Sequence, residues 1–298
     1  MPAWWYCDGF PDCPAGADEH NCSSPWYNRT YFLNSTTCGV GGSTPVSANR
    51  IVGGTPALAG SWPWMVSLRD SNSGEHWCGA TLLSEHWALT AAHCLEYFDF
   101  AVLGDVRLDI RSPYHVDVPV KEVYLHKGFN FTKGFYDLAL IRFVRPVELN
   151  DHIDIACLPD PGLRFTRNES CFITGWGHTE ENGSVSNILQ EVEVPMLDPA
   201  TCQRLAPDNI QVAGQLLCAG HPEGRMDTCQ GDSGGPLMYQ TDNGRWTVIG
   251  ITSFGDGCGR PLAPGYYTEV APFMDFILAV VSGEGHPMAK KKVICAFC

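Results

Sequence analysis

Asp227-Thr-Cys-Gln-Gly-Asp-Ser-Gly-Gly-Pro236 sets a single serine, Ser233, inside a glycine-rich turn. A serine hydroxyl is a poor nucleophile at neutral pH and needs an adjacent base, which in turn needs a carboxylate to fix its tautomer and stabilise its charged form. Two upstream stretches offer those partners. Trp87-Ala-Leu-Thr-Ala-Ala-His-Cys94 carries His93, and Asp137-Leu-Ala-Leu-Ile141 carries Asp137. Taken singly, each residue has a plainer reading: Ser233 as a turn residue, His93 as a packed ring beside a cysteine, Asp137 as a strand-edge charge. Three such strings in the order His93, Asp137, Ser233 read instead as a base, the group that orients it and a nucleophile.

Around these strings, short apolar runs alternate with Gly, Pro, Asn and Asp. Trp64–Leu68, Ala101–Leu103 and Trp246–Thr252 are examples, and their period of two predicts many short strands. The fold class is therefore all-β, a barrel or a sandwich. Only 271–280 has a helical pattern, with Pro272 near its start. Composition divides the chain into a cysteine- and acid-rich segment at 1–22, a polar linker at 23–50, a main domain at 51–282 and a tail at 283–298.

From Ile51 to about Ile277 the chain resembles the chymotrypsin-like (trypsin-family) serine proteases. The resemblance implies two six-stranded antiparallel β-barrels with a C-terminal helix and a catalytic site in the cleft between them. In that reading His93, Asp137 and Ser233 form the triad, and Ser253 donates a hydrogen bond to Asp137. The N–H groups of Gly231 and Ser233 form the oxyanion hole. Asp227 lies at the base of the specificity pocket, where a buried carboxylate favours Arg or Lys before the cleaved bond. Thr228 stands beside it, Gln230 lines the entrance, and Gly255 and Gly265 form side-chain-free walls. Phe254 replaces the family's commoner tryptophan and keeps an aromatic wall. No cofactor is implied for catalysis.

Ala48-Asn-Arg50-Ile51-Val-Gly-Gly54 resembles the family's activation junction. Cleavage after Arg50, by a trypsin-like protease or by the enzyme itself, frees an ammonium at Ile51 to bury against Asp232. The resemblance also pairs Cys78 with Cys94, Cys202 with Cys218 and Cys229 with Cys258, and ties Cys38 to Cys157 so that the pro-segment stays attached. Cys171 matches a family cysteine whose partner position is Tyr239 here. Cys13, Cys171, Cys295 and Cys298 have no assigned partner. Protein and peptide substrates and protein protease inhibitors are the implied partners.

The formal net charge of -14 argues against nucleic-acid binding, which calls for a basic patch. Fourteen cysteines, with CxxC spacing only at Cys295–Cys298, place the chain in an oxidising compartment. Asn-x-Ser/Thr acceptors at Asn21, Asn28, Asn34, Asn130, Asn168 and Asn182 agree with a glycosylated secretory protein. The first residues are not a signal peptide and no run of about 18 apolar residues occurs, so the expectation is an extracellular protein whose start lies further upstream.

Trp5–Cys22 resembles the C-terminal half of an LDL-receptor class A module. Asp8, Asp12, Asp18 and Glu19, with backbone carbonyls of Trp5 and Phe10, would hold Ca²⁺, and Cys7 would pair with Cys22. The first half of the module is missing, which weakens that metal site. Asp105 and Asp117 match a trypsin calcium loop too loosely to assign. His76, His115, His126, His178 and His221 lack metal-ligand spacing and read as ordinary surface residues. The end, Lys290–Cys298, has the form of a polybasic prenylation signal, but a secreted chain never meets the cytosolic transferases. A disordered or alternatively spliced end is the simpler reading of it.

Overall fold

A computed structural model describes residues 38–41, 54–95, 98–130, 135–160, 163, 169–181, 183–207, 210, 212, 214–224 and 228–282. The expectations for Arg50, Ile51, Asp227, the Cys7–Cys22 pair and the Ca²⁺ ligands Asp8, Asp12, Asp18 and Glu19 lie outside the described residues. So do those for the tail and for every glycosylation acceptor except Asn130, which is exposed.

The described chain is built from short antiparallel strands. β1 (Thr55–Pro56), β2 (Met65–Arg69), β3 (His76–Ser84), β4 (Trp87–Thr90), β5 (Phe100–Leu103), β6 (Val116–Leu125) and β7 (Ala139–Phe143) come first. The last six of these close a barrel in the order β2-β3-β4-β7-β6-β5. Then follow β8 (Ser170–Gly175), β9 (Gln190–Pro195), β10 (Leu216–Ala219), β11 (Pro236–Gln240), β12 (Trp246–Phe254) and β13 (Gly265–Glu269). They form a second sheet in the order β1-β9-β8-β11-β12-β13-β10. A bridge between Met196 and Ala219, with Gly220 N–H on the Pro195 carbonyl at 3.1 Å, brings β10 back to β9. Six strands thus curl into a second barrel, and the two-residue β1 is an appendage on its rim.

Aromatic side chains fill the seam between the barrels. Trp62 packs edge-on to Trp246 at 4.8 Å and to Trp64 at 5.9 Å, and Phe172 meets Trp246 at 5.4 Å. Each such pair adds roughly 0.5–1.5 kcal/mol beyond the area it buries. The Trp62 indole N–H, which burial would otherwise leave unpaired, donates to Glu191 Oε2 at 2.7 Å.

Helix is sparse. A 3-10 turn at Ala271–Phe273 leads into α2 (Met274–Val281), where the sequence pattern placed it, and Met274, Ile277 and Val280 face the core. The pattern did not anticipate α1 (Pro199–Leu205). Asp198 caps this helix by accepting from Thr201 N–H at 2.9 Å, and Pro199 presets its first turn. Seven residues are too few to display a 3.6-residue period, so the cap and the proline were the only signals.

Four disulfides match the expected pairs: Cys38–Cys157, Cys78–Cys94, Cys202–Cys218 and Cys229–Cys258. The 16-residue closures each restrict the unfolded chain by about 3 kcal/mol. Cys171 is a free, fully buried thiol directly across the β8–β11 ladder from Tyr239. Burial pushes it up to about 12, so it stays protonated and inert.

Candidate active site

The site lies where the two barrels meet. β4 and β7 are neighbours in register (Thr90 opposite Ala139), so the residues just past one and just before the other converge. His93 sits in the 3-10 turn Ala92–Cys94 after β4, and Asp137 two residues ahead of β7. The Cys78–Cys94 disulfide staples that turn to β3.

Asp137 is 3% exposed, and its burial is compensated by hydrogen bonds to each oxygen. Oδ1 accepts from His93 N–H at 2.9 Å, and Oδ2 lies 2.7 Å from His93 Nδ1 and 2.5 Å from Ser253 Oγ. A carboxylate only accepts, so Nδ1 carries the ring proton and Nε2 is the free nitrogen. Thr268 Oγ1 donates to the Asp137 carbonyl at 3.0 Å, fixing the backbone as well. Here the structure agrees with the expected Ser253–Asp137 bond. The preceding residue, Tyr136, has φ +55, an uncommon conformation for a bulky side chain, and its ring stacks on His126 at 4.6 Å.

Ser233 comes from the other barrel, in the turn that enters β11. Its carbonyl accepts from Gly79 N–H of β3 at 2.8 Å, and Gly234 N–H donates to the Thr252 carbonyl of β12 at 2.9 Å. The turn is pressed against the His93 segment so closely that a Cβ on Gly234 (φ +76) would lie 2.2 Å from Thr90 Oγ1 and 3.2 Å from Ala91 N. Only glycine fits there. Gly231 also has a positive φ, +95. Its flanking peptides are both pinned: the Gln230 carbonyl accepts from His178 N–H at 2.8 Å, and the Gly231 carbonyl from His76 Nε2 at 2.9 Å.

His76 corrects the surface reading of the histidines. It is a half-buried ring, and desolvation pushes it down to about 4, so it is neutral. His126 is buried as well, at 2% exposure, and packs against Tyr136, Phe273 and Phe276. His115 sits between two carboxylates, touching Asp105 through Nδ1, with Nε2 2.9 Å from Asp117 Oδ1 at an ion-pair distance. An imidazole therefore occupies the place where the loose calcium-loop match fell. The one signal for His76 was its position two residues before Cys78, whose partner Cys94 adjoins His93.

Asp232 is buried, with Gly177 N–H on Oδ1 at 2.7 Å and Cys229 N–H on Oδ2 at 3.0 Å. Burial nevertheless raises it to about 6 against the pull of those two bonds. The space for it is made by missing side chains, because a Cβ on Gly175 or Gly177 would come within 2.0 or 2.3 Å of a carboxylate oxygen. Gly177→Ala is expected to push the carboxylate out of place. A cost of about 1–3 kcal/mol for such overpacking, several degrees in thermal midpoint, would be read by thermal denaturation.

Of the expected pocket residues, Thr228 is buried and Gln230 exposed. Phe254 is stacked on Tyr266 at 4.9 Å and 10°. Gly255 is exposed just past β12, and Gly265 is buried at the start of β13. The Cys229–Cys258 disulfide fastens the segment that carries Thr228 to the loop after β12 that carries Gly255. The one cluster among the described residues with metal-like spacing is Cys78, His93 and Cys94; its two sulfurs are joined to each other and are not ligands.

A family model described as Trypsin matches residues 51–277. The chain is also 39% identical over 288 residues to a Rattus norvegicus protein called "Transmembrane protease serine 9". That alignment covers 95% of this chain and 25% of the relative, so the chain spans about a quarter of the length of the curated relative it matches.

Proposed function

Since the chain belongs to the trypsin family of serine proteases, we propose that it is a secreted or cell-surface serine endopeptidase, made as a zymogen, that cleaves after Arg or Lys. The observation that carries this reading is the His93–Asp137–Ser253 network with the Ser233 turn packed against it from the second barrel.

In this mechanism Ser233 attacks the substrate carbonyl as His93 Nε2 takes its proton. The tetrahedral oxyanion is held by the N–H groups of Gly231 and Ser233, each such donor being worth ~10²–10³ in rate. His93 returns the proton to the departing amine, leaving an ester on Ser233. Water then repeats the sequence and releases the acid. Asp137 keeps Nδ1 protonated throughout and stabilises the imidazolium that forms between steps.

Specificity rests on Asp227, between Met226 and the buried Thr228. A carboxylate in a narrow pocket is costly until a cation neutralises it, and an Arg or Lys side chain supplies that cation. Inhibitors are expected to present a basic residue in the same way, and nucleic acid is not an expected partner. The four disulfides support an oxidising compartment, and the relative's name supports a cell-surface one. No helix among the described residues is long and apolar enough to cross a membrane.

The test uses protein cleaved after Arg50 and fluorogenic peptides ending in Arg, Lys, Phe or Leu, with Ser233→Ala as control. Turnover of Arg and Lys peptides that vanishes in the control is the expected result. Asp227→Ser is expected to cost at least 10²-fold on those peptides, from the lost charge pairing. A folded, correctly cleaved chain with no turnover would overturn the catalytic reading, and turnover of Phe alone the placement of Asp227.

A further inference from the structure

The Gly231 carbonyl is the end of a hydrogen-bond chain that runs through His76 of β3 and Ser67 and Arg69 of β2. His76 Nε2 lies 2.9 Å from that carbonyl, and His76 Nδ1 2.8 Å from Ser67 Oγ. Arg69 Nε donates to the same Ser67 Oγ at 3.0 Å, and Arg69 Nη1 donates to the Leu108 carbonyl at 3.3 Å. The direction of every bond is dictated. A carbonyl only accepts, so Nε2 carries the proton; the neutral ring then accepts at Nδ1, which uses the one hydroxyl proton of Ser67. Ser67 must in turn accept from the guanidinium. Ser67 and Arg69 share a face of β2, two residues apart, and His76 stands opposite Arg69 in the β2–β3 register.

The far end of the chain is a tightly tied loop. Asp105 Oδ1 accepts from Ser112 N–H at 2.8 Å, and Ser112 Oγ donates to the Gly104 carbonyl at 2.9 Å. His115 is wedged between Asp105 and Asp117, and Arg111 pairs with Asp117 at 3.3 Å. The two carboxylates also offset the burial of Arg69, whose desolvation is the largest influence on it and is opposed by Asp105 and Asp117. Asp105 and Asp117 thus offset part of the desolvation of a half-buried guanidinium, to which Arg111 adds, and the Leu108 carbonyl holds it in place.

We propose that Arg69 is a positioning residue for the Gly231 peptide, coupling the oxyanion hole to the loop between Gly104 and Val116. Glycine has no side chain to hold its own dihedrals, so both neighbouring peptides need outside anchors. His178 anchors one of them, and the Arg69–Ser67–His76 chain anchors the other. This inference rests on the oxyanion-hole role assigned above to Gly231.

The test uses the activated enzyme and Arg69→Met, which keeps the stem and removes the donors. kcat on an Arg peptide should fall about 10-fold, part of the ~10²–10³ for losing an oxyanion donor outright. A peptide boronate, which mimics the tetrahedral state, should bind about 10-fold more weakly. KM and benzamidine affinity, which report the pocket alone, should not move. Arg69→Lys, which keeps the charge between Asp105 and Asp117, should recover most of the loss. Asp105→Asn should lower kcat several-fold alone and add nothing to Arg69→Met. Should Arg69→Met not fold, Ser67→Ala removes the middle of the chain without touching a charge and gives the same readouts. Unchanged kcat, additive double-mutant losses, or equal weakening of benzamidine and boronate would overturn the coupling. A wild-type enzyme without turnover would instead overturn the catalytic reading, so the two failures are distinguishable.

Discussion

Asp137→Asn in the cleaved enzyme is expected to lower kcat by about 10⁴ with KM nearly unchanged, a magnitude typical for a triad aspartate. The reason is in its hydrogen bonds. Asp137 receives three donors: the His93 N–H, His93 Nδ1 and the Ser253 hydroxyl. An asparagine has one accepting oxygen and must turn its amide nitrogen toward one of those sites. Facing His93, the amide donates to Nδ1, which moves the ring proton to Nε2 and removes the base from the side Ser233 needs. The fold should survive, because Thr268 holds the Asp137 carbonyl and the β4–β7 register does not depend on the carboxylate. Steady-state kinetics with a thermal melt as control separate the two effects. A loss below 10-fold in a folded variant would remove Asp137 from the mechanism.

The second large effect concerns activation. Arg50→Gln, left uncut, is expected to be essentially inactive, and Asp232→Asn to cripple the cut enzyme by roughly 10²- to 10⁴-fold, corresponding to the 3–5 kcal/mol lost when a buried pair loses one partner. Burial raises Asp232 to about 6, so its anion is a liability at neutral pH until a cation arrives. The Ile51 ammonium is the proposed cation. A free α-amino group titrates near ~8, and pairing raises that value in the folded state. Its stabilisation is then fully present below about 8 and is lost as pH rises through the higher folded value. Asp232→Asn should erase this alkaline fall from the pH profile along with the activity. Full activity of uncut Arg50→Gln would sink the zymogen reading.

Much of this was legible because the motifs are local. His93, Asp137 and Ser233 each sit in a string of five to ten residues that survives without knowledge of the fold, and short alternating runs are enough to assign β structure. The expected cysteine pairs came from resemblance, and the ladders then placed Cys171 and Tyr239 face to face. What was hidden depends on partners far away in sequence. His76 looks like any exposed histidine until the fold sets it against Gly231, 155 residues on. Arg69 gives no signal at all, since its meaning comes from Asp105 and Leu108 on a loop and Asp117 at the start of β6, which only the closed barrel brings alongside. α1 failed for the opposite reason, being too short for a period and visible only through Asp198 and Pro199.

β1 is two residues long and adds almost nothing to the sheet, yet it acts as a ruler. Thr55 is paired with Glu191 and Pro56 with Gln190, and Gln190 is the partner of Gly175, whose backbone lies against the Asp232 carboxylate. Only three residues separate the Arg50–Ile51 bond from Gly54, and three residues reach at most about 11 Å. A terminus freed there has no long search to make. Because β1 already sits on the rim of the second barrel, the proposed activation makes the cut itself, rather than any later diffusion of the new end, the step expected to set when the catalytic half of the molecule locks.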